Sequence, residues 1–178
     1  MALNYKNPTC PGNRYGLIIM LALSSIIFNG CGIYSFSGAS TEGLKTLSIQ
    51  YFQNRASLVQ PGLSQNLTDA IIDKCKAQTS LNIVNGLGDA NFEGEISDYN
   101  TRPLTVSADA TAAMNRFTIT VKVKFTNSVD PEKSFEQTFS RYEDYNSSLD
   151  LSQVEAELSE SILELIVEDI FNRAFVNW

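Results

Sequence analysis

Arg116–Asn127 reads RFTITVKVKFTN, and its alternation decides the class of fold. Phe117, Ile119, Val121, Val123 and Phe125 take every second position, while Arg116, Thr118, Thr120, Lys122, Lys124 and Thr126 fill the others. Successive side chains of a strand point to opposite faces, so this pattern predicts a strand with one buried face and one exposed polar face. Asp130-Pro131-Glu132-Lys133 then supplies a turn. Ser134–Tyr142 returns with Phe135, Gln137, Phe139 and Arg141 on alternate positions. A linker this short makes an antiparallel hairpin the simplest pairing.

Working outward, residues 151 to 175 carry Val154, Leu158, Ile162, Leu165, Ile166, Ile170 and Ala174 at helical spacing. Glu157, Glu160, Glu164 and Glu168 keep to the other side. Leu163, Val167 and Phe171 widen the apolar arc beyond one contact surface, so this helix is expected to pack on the sheet and against a second helix. That second helix is read over 65–79, where Leu67, Ala70, Ile71, Lys74 and Cys75 recur, with Pro61-Gly62 as breaker and Ser64 as the expected cap. Thr46–Ala56 (TLSIQYFQNRA), Leu81–Val84 and Asn91–Tyr99 read as extended pieces. In the last of these Phe92, Gly94 and Ile96 share one face and Glu93, Glu95 and Ser97 the other. Pro103 breaks the pattern, and Ser107–Ala113 reads as a loop over one end of the sheet. The expected fold is α+β, in the order β-α-β-β-β-α: two helices packed on one face of a four-stranded, mostly antiparallel or mixed sheet.

The 178 residues suffice for one domain of ordinary size, and 43% are apolar, which suits a packed globule rather than a disordered chain. Residues 1–30 stand apart. Lys6 and Arg14 are their only charges, and the uncharged run Leu17–Phe28 (LIIMLALSSIIF) leads to Asn29-Gly30-Cys31-Gly32. A basic stretch, a short apolar core and a small residue before the cut describe a secretory signal. The run is shorter than the ~20 residues a membrane-spanning helix needs. We therefore expect a removed signal over 1–30, a small polar tether over 31–45 with a short strand at Tyr34–Ser37, and a single domain over 46–178. Removing Lys6 and Arg14, with no acid beside them, takes the formal charge from −7 to −9. Such an acidic chain disfavours nucleic acid as a partner.

Cys31 is the expected site of acylation, since a Cys after an apolar run and a small residue is where a lipoprotein receives its acyl groups. Two or three chains at ~0.8 kcal/mol per buried methylene hold a protein on a membrane. Phe28 and Asn29 stand where the usual motif has an aliphatic and a small residue. Cys75 falls at apolar helical spacing and reads as a small buried hydrophobe. The chain has no His, which excludes His-dependent triads and His-ligated metals. Glu93 and Glu95, the Glu stripe of the last helix, and Asp69 with Asp73 read as solvated faces. Gly86-Leu87-Gly88 lacks the strand and helix context of a phosphate cradle. No catalytic residue, metal or cofactor is expected, and the chain reads as a non-enzyme. Arg116, Lys122 and Lys124 gather positive charge on the wet face of their strand. They read either as ordinary strand decoration or as a docking face for an anionic partner or lipid headgroup.

Taken in order, Cys31–Gly38 (CGIYSFSG), Ile49–Ala56 (IQYFQNRA), Phe92–Ile96 (FEGEI) with Tyr99, Asn115–Val121 (NRFTITV) and Asp169–Asn172 (DIFN) resemble the lipopolysaccharide-assembly lipoprotein family LptE, in the form found in Bacteroidetes. The similarity spans essentially the whole chain after Cys31. It implies two helices on a four-stranded sheet, a lipid anchor in the inner leaflet of the outer membrane, and a place as a plug inside the barrel partner LptD. The pair inserts lipopolysaccharide into the outer leaflet, and basic strand residues of the family are linked to lipopolysaccharide contact. Only Arg116, Lys122 and Lys124 resemble those here. The alternative reading is a stand-alone ligand-binding or structural lipoprotein of the periplasm.

Overall fold

The computed structural model describes residues 39–58, 60–104 and 113–176. The expected signal over 1–30, Cys31, the expected strand at Tyr34–Ser37 and nearly all of the expected loop over 107–113 lie outside the described residues. The elements are β1 (Thr46–Ile49), β2 (Gln53–Asn54), α1 (Leu63–Gln78), β3 (Asn82–Ile83), β4 (Ala90–Pro103), β5 (Met114–Asn127), a single 3-10 turn (Pro131–Lys133), β6 (Phe135–Asn146) and α2 (Leu151–Phe175). The strands form one sheet in the order β3-β1-β4-β5-β6, and β2 pairs β4 beyond β1. β1 runs parallel to β3 and β4, and β2 parallel to β4, while β4, β5 and β6 are antiparallel. The α+β class with two helices and a mixed sheet is as expected.

The strand count is not. The sheet has six strands rather than four. One reason lies in Thr46–Ala56, which is two short strands rather than one. At Phe52 the chain leaves the ladder: its N–H donates to Thr68 Oγ1 of α1 at 3.2 Å, and its ring is fully buried. The ring lies over Gly94, where a Cβ would stand 2.6 Å from it and 2.3 Å from the Lys122 carbonyl. The other reason is β3, a two-residue strand inside the Leu81–Val84 piece, which reads as extended but does not enter the count of four strands.

β5 is the strand its alternation predicts. Phe117, Ile119, Val121, Val123 and Phe125 are all fully buried. β4 runs past Tyr99 to Pro103, because a bulge between Ile96 and Asp98 inserts one extra residue. Before it Phe92 and Ile96 face the core; after it Tyr99 does. The bulge moves the apolar set from even to odd positions and conceals the strand's second half from a period-two reading. β6 likewise extends to Asn146, adding buried Tyr145.

α1 begins one residue before Ser64, and its cap is Gly62 in the left-handed conformation (φ 88°). Ser64 is a buried residue of the first turn whose carbonyl accepts the Thr68 hydroxyl at 2.7 Å. α2 spans the predicted residues, and the Asp150 N–H donates to Gln153 Oε1 at 3.2 Å at its start. Its buried residues run from Ser159 through Ile162, Leu163, Ile166, Val167, Ile170 and Phe171 to Phe175. Leu165, expected in the arc, is 45% exposed. Both helices join the sheet in one hydrophobic core. Phe92, Phe125 and Phe175 meet at its centre with ring centroids 4.7 to 6.0 Å apart. Burying each ring contributes ~2–3 kcal/mol gross before chain entropy offsets it. No helix of the described residues is long and apolar enough to cross a membrane.

Of the expected tether, residues 39–45 are described, and backbone bonds hold them. Ser40 N–H donates to the Phe175 carbonyl at 2.6 Å, and Lys45 N–H donates to Asp89 Oδ2 at 2.9 Å.

Candidate interaction site

Arg116, Lys122 and Lys124 lie on the sheet face turned away from the helices, where β5 alternates with β4 and β6. Each is paired. Lys124 Nζ reaches Glu93 Oε1 of β4 and Lys122 Nζ reaches Glu136 Oε1 of β6, both at 2.6 Å. Arg116 makes a bidentate bond to Asp144 of β6 at 2.8 and 2.9 Å and lies over the Tyr142 ring, 3.5 Å from its centroid. Arg55 Nε extends the network to Glu95 at 3.1 Å. The antiparallel register places Glu93 opposite Lys124, Glu95 opposite Lys122 and Asp144 opposite Arg116. Cross-strand neighbours of opposite charge are the sheet's own means of fixing such a face.

Pairing favours the charged forms of the cations and of Glu136 and Asp144. The Glu136 and Glu93 carboxylates hold the Lys122 and Lys124 ammonium groups above their ordinary range, and Asp144 raises Arg116 likewise. Conversely, Lys122 lowers the Glu136 carboxyl and Arg116 lowers that of Asp144. A shallow depression of about 340 Å³ over this face is lined by Gln50, Tyr51, Gln53, Arg55 and the paired Lys and Glu residues. The face is therefore an organised ladder of alternating charge rather than a purely basic patch.

A second concavity separates the helices. It is an open groove of about 940 Å³. Ala70 and Ala77 of α1 and Ala156, Leu163 and Leu165 of α2 give it apolar walls, and Asp69, Asp73, Glu160, Glu164 and Glu168 line it with carboxylates. Lys74, also lining it, is bound to Glu168 and stacked near Phe171, 5.7 Å from the ring centroid. Among the described residues no three His, Cys, Asp or Glu side chains gather as a metal site would require. Cys75 is buried below the groove, and burial pushes its thiol up to about 12. Burial, and then the bond to the Glu155 carboxylate, likewise raise the Tyr99 hydroxyl.

The family model described as lipopolysaccharide-assembly, LptE, matches residues 44–174. The chain belongs to the LptE family. The resemblance read from the sequence thus holds at the level of the family. No curated protein matches the chain. Among solved structures, the LptE-family chain is similar to a minor lipoprotein from Acinetobacter baumannii, at 13% identity and TM-score 0.49, covering 73% of this chain and 91% of that one. It is also similar to an uncharacterized lipoprotein B from Nitrosomonas europaea, at 14% identity and TM-score 0.49, covering 80% and 88%. A third is the rare lipoprotein B from Shewanella oneidensis, at 12% identity and TM-score 0.43, covering 72% and 90%.

For this LptE-family chain, the sequence placed Arg116, Lys122 and Lys124 on one face, and the structure brings them together there. Sequence reasoning missed their acidic partners, reading Glu93 and Glu95 as solvated and not singling out Glu136 or Asp144. A signal was present. Setting Phe125 opposite Phe135 in the hairpin also sets Lys124 opposite Glu136 and Arg116 opposite Asp144. The inter-helix groove had no such signal, because Leu165 fits the apolar arc by spacing and is exposed only by how the helices meet.

Proposed function

We propose that this chain is a non-catalytic lipoprotein, acylated at Cys31 and held at the periplasmic side of the outer membrane. There it fills and stabilises the lumen of the barrel LptD and assists the insertion of lipopolysaccharide into the outer leaflet. The observation that carries the reading is the family match over residues 44–174. The ladder on the outer sheet face supports it, because a barrel lumen is polar and accepts a surface of balanced charge and hydrogen-bonding groups more readily than an apolar one. The short chain from Cys31 to Ala39 supports it too: at ~3.5 Å per residue it keeps the domain close to an anchored lipid surface.

Within that reading, Arg116, Lys122 and Lys124 contact lipopolysaccharide or the barrel. Their carboxylate partners hold them extended, and a lipid phosphate would take the place of Asp144, Glu136 or Glu93 at the cation. Exchange of one anion for another at an exposed pair costs little, since such pairs are worth ~0–1 kcal/mol in water.

Affinity purification of the chain from outer membranes tests the proposal. It should bring down a large barrel protein, and depletion of the chain should leave lipopolysaccharide in the inner membrane. Recovery as a free monomer, with lipopolysaccharide distributed as before, would overturn it. Mass spectrometry of the N-terminal peptide should find acyl chains on Cys31, and a Cys31→Ser variant should wash off the membrane.

A further inference from the structure

We infer that the groove between α1 and α2 is a docking site for a cationic amphipathic segment of another protein. This goes beyond the barrel reading and does not require it. Three observations converge. First, the groove is large and open, about 940 Å³, with Leu165 at 45% exposure on its wall beside buried Leu163. A long helix in a small domain normally turns a leucine inward, and a concave exposed apolar strip on a soluble surface marks an interaction site. Second, the small side chains of Ala70, Ala77 and Ala156 leave space between the helices that another helix or an extended apolar segment can fill. Amphipathic segments enter such grooves by side chains spaced at helical intervals.

Third, five carboxylates line the groove against the single ammonium of Lys74, and several of them have no cationic partner among the described residues. Lys74 is committed to Glu168. Asp69 accepts only from the neutral amide of Gln65, and Lys76 is 3.9 Å from Asp73. Glu160 and Glu164 have no ion-pair partner among the described residues. This contrasts with the outer sheet face, where Lys122, Lys124 and Arg116 each hold a carboxylate. The acidic excess of the chain is thus displayed beside an apolar groove. The complementary occupant carries apolar anchors flanked by Lys or Arg. The same carboxylates repel a lipid phosphate, and the apolar walls between the helices suit a polypeptide with apolar anchors rather than a small hydrated cation.

The test uses the protein purified from membranes and a labelled peptide of Leu and Lys at helical spacing, with its Leu and Glu counterpart as the opposite-charge probe. The Leu/Lys peptide should bind and its counterpart should not. Glu160→Lys combined with Glu164→Lys should weaken binding about tenfold. Glu42→Lys combined with Glu132→Lys, the same change of net charge at remote exposed sites, should leave affinity within about twofold. Leu165→Asn, an exposed substitution that spares the core, should weaken binding by removing the anchor. A photo-crosslinking residue at 165 in cells should give an adduct that the groove variant loses and the remote variant keeps. Equal weakening by both charge variants, binding of the acidic peptide, or indifference to Leu165→Asn would overturn the inference.

Discussion

Gly94 is where two constraints meet at one residue. The Phe52 ring crosses the sheet there, and a Cβ would stand 2.3 Å from the Lys122 carbonyl and 2.6 Å from the ring. Backbone on one side and a fully buried ring on the other leave no soft neighbour to yield. Gly94→Ala should therefore destabilise the domain by ~2–4 kcal/mol, seen as a lower denaturation midpoint. Asp89 works in the opposite sense, by adding bonds. Its carboxylate accepts the Lys45 and Thr46 N–H groups at 2.9 Å and joins the entering chain to the start of β4. Those backbone bonds first, and the Thr46 hydroxyl after them, lower its pKa. A depressed carboxyl contributes stability at neutral pH that is lost as pH falls through the folded value. Asp89→Ala should accordingly lower the urea midpoint at pH 7, and the gap from the parent should narrow below the ordinary carboxylate range. An equal gap at both pH values would count against this account.

At the scale of elements, the two helices differ in how legible their ends are. α2 starts on Asp150, with Gln153 reaching back to its N–H, and its span was read correctly. α1 starts on Gly62, whose left-handed φ of 88° turns the chain into the helix, whereas the sequence suggested Ser64. The two assignments make opposite predictions. Ser64→Ala should change stability by less than ~0.5 kcal/mol, well below the ~1 kcal/mol that loss of a true cap costs. Gly62→Ala should cost ~1 kcal/mol from backbone strain, although its Cβ would meet nothing within 4 Å. Thermal melts of the two variants decide between them. Strand β4 shows the same limit in a sheet. Its first half alternates cleanly, and after the extra residue at the bulge Tyr99 takes the inward position before the strand runs out exposed to Pro103. The inward set was visible, but its phase changed at a point that no local signal marks.

For the whole molecule, one core joins the sheet to both helices, so the described residues should unfold in a single cooperative transition. Phe175→Ala removes a ring packed on Phe92 and Phe125 and should cost ~3–5 kcal/mol. Cys75 offers an internal reporter. Its thiol is buried and pushed up to about 12, so reaction with a thiol reagent at neutral pH should be slow in the native state. Its rate should follow denaturant with the slope of global unfolding. Rapid labelling of Cys75 in native protein would show that the core opens locally around α1.

The sequence by itself determined the class of fold, the alternating strand β5, the long last helix and the family. Each rests on a periodicity or a motif order long enough to outweigh local exceptions. The wet cationic face of β5 was legible for the same reason, since alternation assigns a face to every residue of a strand. Only the tertiary structure decided which carboxylate each cation takes, that Thr46–Ala56 breaks at Phe52, and that a leucine stands exposed in an acidic groove. Register and the angle at which helices meet bring together residues far apart in the chain. Contacts of that kind leave no period in the sequence, because each depends on where a second element has settled.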